Sequence, residues 1–492
     1  MKSAWLAVVG LALLGAGAAS AQYENFANTR QQQMEPGARP SIRLLGMGGL
    51  GLTVADEDNK ISLLDFGSNL AGMLEDRDAS SLECWGGRVH QLDDYVDPSV
   101  SASGRLSASA DENLAGAEVV YRKPGHRALG VIALYDAQEN SVTLGNDGKL
   151  SGPNGSVFWN EAVGRFSGAI RLGTWGDNQH LVTTDVFGIG NSSSGSVATL
   201  AASWKWHTWT VGGQLEWDRS LIHGVSADPG GFHDDEFNWN RPVTRLQLNL
   251  IRPESNRLAA GINLTSLRID GSEDGRYSWS DRFASNPSRL NYLIYAPTFQ
   301  EKVRNWGLEG RCRYALDRVF KLGAYASYQG LKYEIDADPS GNFPGSLLPQ
   351  NTDTKDWKLG AGLGGTFLRE RLRLGVEGYY EGEKVSSILT RATSDVKMRD
   401  LAVRAGAELL LPSRVSLRAG FQGGTLDEDT EQPYNFYKNS GFTVGLGYAP
   451  LGGIVRLDAA LRILQQRPGY SGGGSDRKTW AQEMEAGARF LF

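Results

Sequence analysis

The chain has 492 residues, a formal net charge of −6, two cysteines and a mean hydropathy of −0.34. The mildly acidic balance argues against a nucleic-acid partner, which would require a basic surface, and two cysteines form neither a disulfide framework nor a metal site. The 62 glycines and 13 tryptophans, in a chain without helical blocks, instead fit a transmembrane barrel, in which only every second strand residue must be apolar.

The first 21 residues have the layout of a cleavable secretory signal. Lys2 supplies a positive charge, residues 4–16 form an uncharged apolar run, and residues 19–21 (Ala-Ser-Ala) offer a small-residue cleavage site. The apolar run is shorter than the about 20 residues that a membrane-spanning helix requires. We therefore predict that residues 1–21 are a signal peptide, cleaved after Ala21.

Residues 22–79 differ from the rest of the chain. Residues 22–40 are polar and rich in Gln, which predicts a periplasmic leader, and residues 46–51 then contain four glycines. A phosphate-binding loop would need a strand before it and a helix after it, or a Gly-Lys-Ser/Thr ending, and the sequence has neither. We interpret the glycines as backbone packed closely inside a barrel lumen.

Two motifs in this region resemble the FadL-type superfamily of outer-membrane transporters, which includes PorV-like proteins. There, a Gly-rich segment ending in Ala-Asp-Asp precedes an Asn-Pro-Ala-Gly-Leu stretch, and this chain has Leu70 in place of the proline. The resemblance implies that residues 22–79 form a hatch that plugs the lumen, and that hydrophobic molecules leave through the wall. It also implies a barrel of about 14 strands. The residues that carry the motifs are Gly46, Gly48, Gly49, Asp56, Asn69, Ala71 and Gly72.

From residue 80 onward the chain alternates apolar and polar residues with a period of two. In residues 400–411, Leu401 and Val403 lie on one face, and Arg404 and Glu408 lie on the other. Alternating stretches of roughly 10 residues match tilted strands that cross a bilayer, and charges in mid-strand favour a wet lumen over a soluble sandwich. We predict an all-β fold: a transmembrane antiparallel β-barrel over residues 80–492 with about 14–18 strands, 18 being the best count.

The connections between strands differ in length. Short turns are predicted near residues 123–126, 253–256, 316–318, 369–371, 412–414 and 449–452, and long polar loops near residues 136–160, 219–240, 270–300, 336–354, 387–397, 426–438 and 467–477. Short turns are typical of the periplasmic end of such barrels. Aromatic residues that we assign to the membrane-interface girdles are Trp204, Trp206, Trp209, Trp217, Tyr380, Tyr448 and Trp480.

The last strand supports the assignment to a bacterial outer membrane. Trp480, Met484, Phe490 and Phe492 alternate with charged residues and with Gly487. A Gly and two aromatics at this spacing resemble the C-terminal signal that the barrel-assembly machinery recognises. The predicted assembly signal is therefore Gly487, Phe490 and Phe492, and the predicted partners are this machinery and outer-membrane lipid.

Charged residues on the predicted inner face suggest a channel or transporter, plugged by its N-terminal segment, for small solutes or hydrophobic compounds. These residues, which could equally brace the wall, are Glu309, Arg311, Arg313, Arg371, Arg373, Arg404, Glu408, Arg418, Arg456, Asp458, Arg462 and Arg489. The alternative is a PorV-like surface protein that binds exported proteins through acidic loops without transport. Oxygen ligands in those loops suit Ca²⁺, but no Ca²⁺-binding spacing occurs, so solvated loops are favoured.

An enzyme is not predicted. The six histidines are scattered, and the sequence contains no Gly-x-Ser-x-Gly nucleophile motif. We expect no cofactor, no metal and no catalytic residue. Cys84 and Cys312 are interpreted as separate residues of the barrel wall, although an oxidising compartment would permit a disulfide between them.

Overall fold

The computed structural model describes most of the chain in segments. These are residues 42–54, 79–96, 105–123, 126–142, 146–183, 188–227, 233–252, 257–280, 292–295, 298–337, 350–389, 392–430, 435–450, 453–471 and 478–492. Within them lies one short helix, α1 (Ile42–Gly46). Among the described residues, no helix combines the length and the hydrophobicity needed to cross a membrane.

Nineteen strands follow the helix in the described residues. They are β1 (Ser81–Val96), β2 (Arg105–Lys123), β3 (Arg127–Val142), β4 (Asn146–Val163), β5 (Phe166–Thr183), β6 (Gly188–Trp206), β7 (Trp209–Ala227), β8 (His233–Arg252), β9 (Leu258–Ser280), β10 (Tyr292–Tyr295), β11 (Thr298–Ala315), β12 (Phe320–Ala337), β13 (Gln350–Phe367), β14 (Leu372–Leu389), β15 (Ala392–Leu410), β16 (Val415–Thr430), β17 (Asn435–Tyr448), β18 (Val455–Ser471) and β19 (Lys478–Leu491).

The strands close into one antiparallel barrel. Apart from the short β10, each strand pairs with its neighbours in the sequence, and β1 pairs with both β2 and β19. β10 is a four-residue addition that pairs with the outer end of β9, while β9 continues the barrel by pairing with β11. The wall therefore has 18 strands. This confirms the predicted fold class and the best strand count, and the number exceeds that typical of the superfamily suggested by the motifs.

The period-two alternation places opposite chemistry on the two faces of the wall. Leu401 and Val403 of β15 are exposed on the outer face, whereas Glu408 of the same strand is buried on the inner face. The outer face carries large exposed apolar residues along most of the strands, as expected where a barrel wall meets lipid. The seven predicted girdle aromatics all belong to this outer register.

The connections at one end of the barrel are short, at two to six residues each. Six of them lie where the sequence predicts turns. Two more, at residues 164–165 and 207–208, were not predicted. Gly164 and His207 both have positive φ angles, of 63° and 55°, and a histidine in that conformation gives little turn signal in a sequence.

The predicted loops are shorter than expected, because the strands extend into them. β3 reaches Val142 and β4 begins at Asn146, so most of residues 136–160 is strand. The same holds for residues 219–240, where only 228–232 separate β7 from β8. The described barrel strands have 14 to 23 residues, which is longer than the roughly 10 that cross a bilayer. Beyond the membrane both faces are wet, so the ladder continues without the apolar alternation that marks a strand in the sequence.

The two cysteines are free thiols on β1 and β11, and both are exposed. This confirms that they are separate wall residues, and the alternative of a disulfide between them is wrong.

Candidate functional site

Residues 42–54, which we call the inner segment, lie against the inner face of the barrel. The segment contacts β12 to β19. Ile42 and Leu45 of α1 pack on Ala460 of β18, and Met47 and Leu50 are fully buried. Part of the chain that precedes the barrel is therefore enclosed by its wall.

A buried ion-pair junction joins the inner segment to the wall. Arg43, whose side chain is 1% exposed, donates hydrogen bonds to both carboxylate oxygens of Glu408 over 2.5–3.1 Å. Glu408 also accepts from Arg418 at 2.9 Å and from Arg373 at 3.1 Å. Arg418 in turn donates to Asp458 at 2.6 Å. A buried charge is stable only when it is paired and hydrogen-bonded. Glu408 therefore fixes the position of Arg43 and supplies its counter-charge.

A second contact uses the carboxylate of Glu377 on β14. It accepts hydrogen bonds from the backbone N–H groups of Leu52 and Thr53, both at 2.8 Å, and from the Thr53 hydroxyl at 2.9 Å. Tyr379 donates its hydroxyl to the same carboxylate at 2.7 Å. Carboxylates that accept backbone N–H groups make charge-assisted hydrogen bonds. Glu377 therefore holds the end of the inner segment much as Glu408 holds its start.

Glycines make the close approach between these two anchors possible. A Cβ atom on Gly406 or Gly420 would collide with the main chain of Met47 or Gly48, and one on Gly445 would lie 3.0 Å from the Cα of Gly46. A methyl group at any of these positions would therefore push the inner segment away from the wall.

The inner segment itself turns at two further glycines. Gly48 and Gly49 have φ angles of 79° and 75°, and the N–H of Gly49 returns to the carbonyl of Leu44 at 2.8 Å. This left-handed ending of a helix favours glycine. Arg404 donates to the Gly49 carbonyl at 3.1 Å, so a predicted inner-face arginine contacts a predicted motif glycine.

Most of the other predicted inner-face charges are paired with charged residues of the wall. Arg456 donates to Asp458 at 2.9 Å and Arg311 to Glu309 at 2.7 Å. Arg462 contacts Glu483, Arg489 contacts Glu83, and Arg313 is buried. The exception is Arg371, which the sequence assigned to the lumen. It is exposed in the turn between β13 and β14, so that assignment is wrong. The predicted alternation was extended one residue before the start of β14 at Leu372.

Several predicted residues lie away from the inner segment or outside the described part of the chain. Phe490 and Phe492 are exposed on the outer face, and Gly487 stands opposite Trp85 and Asp458 in the neighbouring strands. Asp56, Asn69, Ala71 and Gly72 lie outside the described residues.

The predicted site residues did not include Glu377 or a second ionic network on the opposite part of the inner wall. Glu377 shares the inner register of Arg373, and that was the available signal. On β5 to β8, Arg171 donates to Glu216 at 2.6 Å, both side chains being 1% exposed, and Arg245 donates to Glu216 at 3.1 Å. These pairs link neighbouring strands of the wall and brace the barrel on the side away from the inner segment.

The lipid-facing side of the wall behind the inner segment carries an apolar groove. It has a volume of about 590 Å³ over β12 to β16, and small residues such as Gly365, Ala405 and Ala419 form its floor. The ladders from β12 to β16 pair continuously behind it. The described wall is therefore thin here, but it is closed.

A closed barrel with an apolar outer face and a charged inner face defines an integral β-barrel protein of a bacterial outer membrane. No protein-family model and no curated protein sequence matches the chain. Its structure is similar to the toluene transporter TodX of Pseudomonas putida, at 11% identity, covering 92% of this chain and 98% of that one with a TM-score of 0.37. It is also similar to the ferric yersiniabactin uptake receptor FyuA of Yersinia pestis (10% identity, 82% and 80% covered, TM-score 0.43). A further similar structure is the alcaligin outer-membrane receptor FauA of Bordetella pertussis (11% identity, 82% and 76% covered, TM-score 0.41).

Proposed function

We propose that the protein is an outer-membrane channel for small solutes and that the inner segment is part of a plug. The observation that carries this proposal is the buried junction of Arg43, Glu408 and Arg418, which holds a piece of the preceding chain inside the lumen. A purely structural barrel would have no need of such a contact, because the wall closes without it.

The size of the barrel supports a channel. Barrels of 16–18 strands enclose an aqueous lumen, whereas barrels of about eight strands are filled by their own side chains. An 18-stranded barrel must therefore either conduct or be filled by something other than its wall. The inner segment supplies part of that filling along β12 to β19.

The junction is also suited to release. When Arg43 leaves, Glu408 keeps Arg373 and Arg418 as partners, and Arg43 gains water. Neither charge is then left both buried and unpaired, which is the costly outcome. We infer that the plug can be displaced at a moderate free-energy cost.

The chemistry of the lumen favours a polar solute. Paired arginines and carboxylates line the inner face, and water or a hydrophilic solute fits beside them better than an alkyl chain does. The FadL-type resemblance instead implies a hydrophobic compound that leaves through the wall. The continuous ladders from β12 to β16 give that second route less support in the part of the wall that faces the inner segment.

Single-channel conductance in planar bilayers tests the proposal. The full chain is compared with the double variant Arg43→Met/Glu377→Gln, which weakens both anchors. The control is Arg241→Met/Glu301→Gln, which removes a buried wall pair with a 2.7 Å contact on β8 and β11, outside the strands that the inner segment contacts. We expect the anchor variant to open more often or more widely than the wild type, and the control to behave like the wild type.

Two results would contradict the proposal. If the anchor variant conducts no better than the wild type, the inner segment does not restrict the lumen. If no variant conducts at all and the protein instead retains an exported partner in pull-downs from outer-membrane extracts, the PorV-like surface-binding alternative is favoured.

A further inference from the structure

A row of cations crosses the outer face of the wall near the end with the longer connections. These side chains point away from the lumen and are at least partly exposed. They belong to six adjacent wall strands, β9 and β11 to β15. We call them the cation row, and its members are Arg268, Arg304, Lys332, Lys355, Lys384 and Lys397.

The strand register sets several of these cations directly opposite one another. Arg304 stands opposite Arg268 on one side and Lys332 on the other. Lys384 likewise stands opposite Lys355 and Lys397. Directly opposed residues on one face have Cβ atoms about 4.5–5.5 Å apart, and like charges in that arrangement destabilise the sheet.

Some cations of the row contact carboxylates on the same face. Asp270 accepts from both Arg268, at 2.5 Å, and Arg304, at 2.7 Å. Asp353 stands opposite Lys332 and lies 3.9 Å from Lys355.

At the far end of the row, Asp429 stands opposite Lys397. Two neighbouring pairs, Lys302 with Glu334 and Arg399 with Asp427, are balanced by the register. In the strand register, the residues directly opposite Lys384 are both lysines.

The cation row lies just beyond a row of aromatic rings. Trp306 packs against Tyr328 with ring centroids 5.1 Å apart, and Trp357 packs against Tyr380 at 5.0 Å. All four rings are exposed on the outer face. Amphipathic aromatic rings on a barrel mark the level of the lipid headgroups.

The distance along the strands from the aromatic rings to the cations is short. On β12 and β14 a single outward glycine, Gly330 or Gly382, separates the tyrosine from the lysine, and the neighbouring tryptophan ring covers that glycine. Each outward position is about 7 Å along a strand. The cations therefore lie at or just above headgroup level, next to the lipid.

The leaflet follows from the topology. At the other end of the barrel every connection has two to six residues, whereas connections of 12 and 17 residues (338–349 and 281–297) lie at the end with the cation row. In outer-membrane barrels the end with short turns is periplasmic and the end with longer loops is extracellular. The cation row therefore faces the outer leaflet. The feature is not general around the wall, since β6 presents Ser192, Ser194 and Ser196 on its outer face toward the same end.

We propose that the cation row binds the phosphate groups of a phosphorylated lipid of the outer leaflet. Lysine and arginine are the residues that hold lipid phosphates at a membrane surface, and a bound phosphate converts the opposed like charges into bridged ones. The aromatic row and the apolar wall below it contact the acyl part of the same molecule. This inference is independent of the lumen and of whether the protein conducts.

The test uses the triple variant Lys355→Gln/Lys384→Gln/Lys397→Gln in the full chain. Its control, Lys123→Gln/Lys438→Gln/Lys478→Gln, removes three exposed lysines from outside β9–β15 and so changes the net charge equally. Binding of diphosphorylated lipid A to the detergent-solubilised protein is counted by native mass spectrometry and titrated. Dephosphorylated lipid A and inorganic phosphate are the comparison ligands.

We expect the wild type and the control to bind the diphosphorylated lipid, and the triple variant to bind it on the order of a hundredfold more weakly. In neutral phosphatidylcholine vesicles the triple variant should be close to the wild type in stability, because exposed ion pairs such as Lys355 with Asp353 contribute little and the repulsion between opposed lysines is lost. The diphosphorylated lipid should then stabilise the wild type and the control, but not the triple variant. Equal binding by both triple variants, equal binding of the dephosphorylated lipid, or binding of inorganic phosphate alone would each overturn the proposal.

Discussion

The substitution Glu408→Gln should release the inner segment from the lumen. Glu408 accepts hydrogen bonds from Arg43 over 2.5–3.1 Å, and both side chains are buried, at 5% and 1% exposed. Glutamine keeps the volume of the side chain but not its charge. In the inserted state Arg43 would then be a buried cation that faces Arg418 and Arg373 without their shared anion.

The expected size of the effect follows from these contacts. Removing one partner of a buried ion pair costs about 3–5 kcal/mol, mostly because the other charge is left buried without compensation. Arg418 keeps Asp458 at 2.6 Å, whereas the three hydrogen bonds from Arg43 to Glu408 lose their charged acceptor. Release into water removes that cost, and the equilibrium between inserted and released segment should shift by at least roughly a hundredfold.

A cysteine label measures this equilibrium. Met47→Cys places a thiol where the native side chain is fully buried, in a background in which the exposed Cys84 and Cys312 are replaced by serine. A membrane-impermeant maleimide then reacts only when the segment leaves the wall. Labelling of the Glu408→Gln protein should be at least roughly a hundredfold faster than that of the parent.

The control is Glu483→Gln, which neutralises a carboxylate paired with Arg462 within the wall. It should leave the labelling rate near that of the parent. If Glu408→Gln also leaves the rate unchanged while the barrel remains folded, Arg43 does not hold the inner segment and the reasoning fails.

Three further predictions concern the wall and its turns. Gly406→Ala should speed labelling of the same cysteine, because the added Cβ collides with the main chain of the inner segment at a cost of about 1–3 kcal/mol. The control Gly378→Ala, whose Cβ meets open space, should leave the labelling rate unchanged. Glu216→Gln should lower the unfolding midpoint of the barrel in urea, because Arg171 and Arg245 then lose the buried carboxylate that they share; an unchanged midpoint would show that these pairs contribute little. The backbone N–H groups of the β11–β12 turn lower the pKa of Asp317 below its usual value, so its stabilisation is complete above the unfolded pKa and lost as the pH falls through the folded one. The stability difference between wild type and Asp317→Ala should therefore shrink on acidification below pH 4, and a difference that grows would refute this.

The barrel wall could be predicted from the sequence because lipid imposes a rule on it. Every second residue between the interfaces must be apolar, and this gave the fold and the strand count. Beyond the interfaces both faces are wet and the rule ends. This is why residues 136–160 appear as a loop in the sequence although β3 and β4 occupy most of them.

The contacts of the inner segment could be predicted only in part. The glycines at 46–49 indicated close packing against a wall, and Arg404 and Glu408 were placed on the correct face. Their partners could not be predicted, because Arg43 and Glu408 are 365 residues apart and no local pattern links them. The contact of Glu377 could not be predicted either, because a carboxylate that accepts backbone N–H groups needs no complementary charge in the sequence.

The glycines and the charges of this site should depend on each other. Arg43 reaches Glu408 only because Gly406, Gly420 and Gly445 let the backbone of the inner segment approach the wall. Displacing that backbone by about 1 Å would carry most of the Arg43 contacts beyond hydrogen-bond range. In a Gly406→Ala background, Glu408→Gln should therefore cost less than it does alone, with a coupling free energy of about 0.5–3 kcal/mol measured by the cysteine label. Strict additivity would mean that the two contacts act independently and that close packing is not what positions the ion pair.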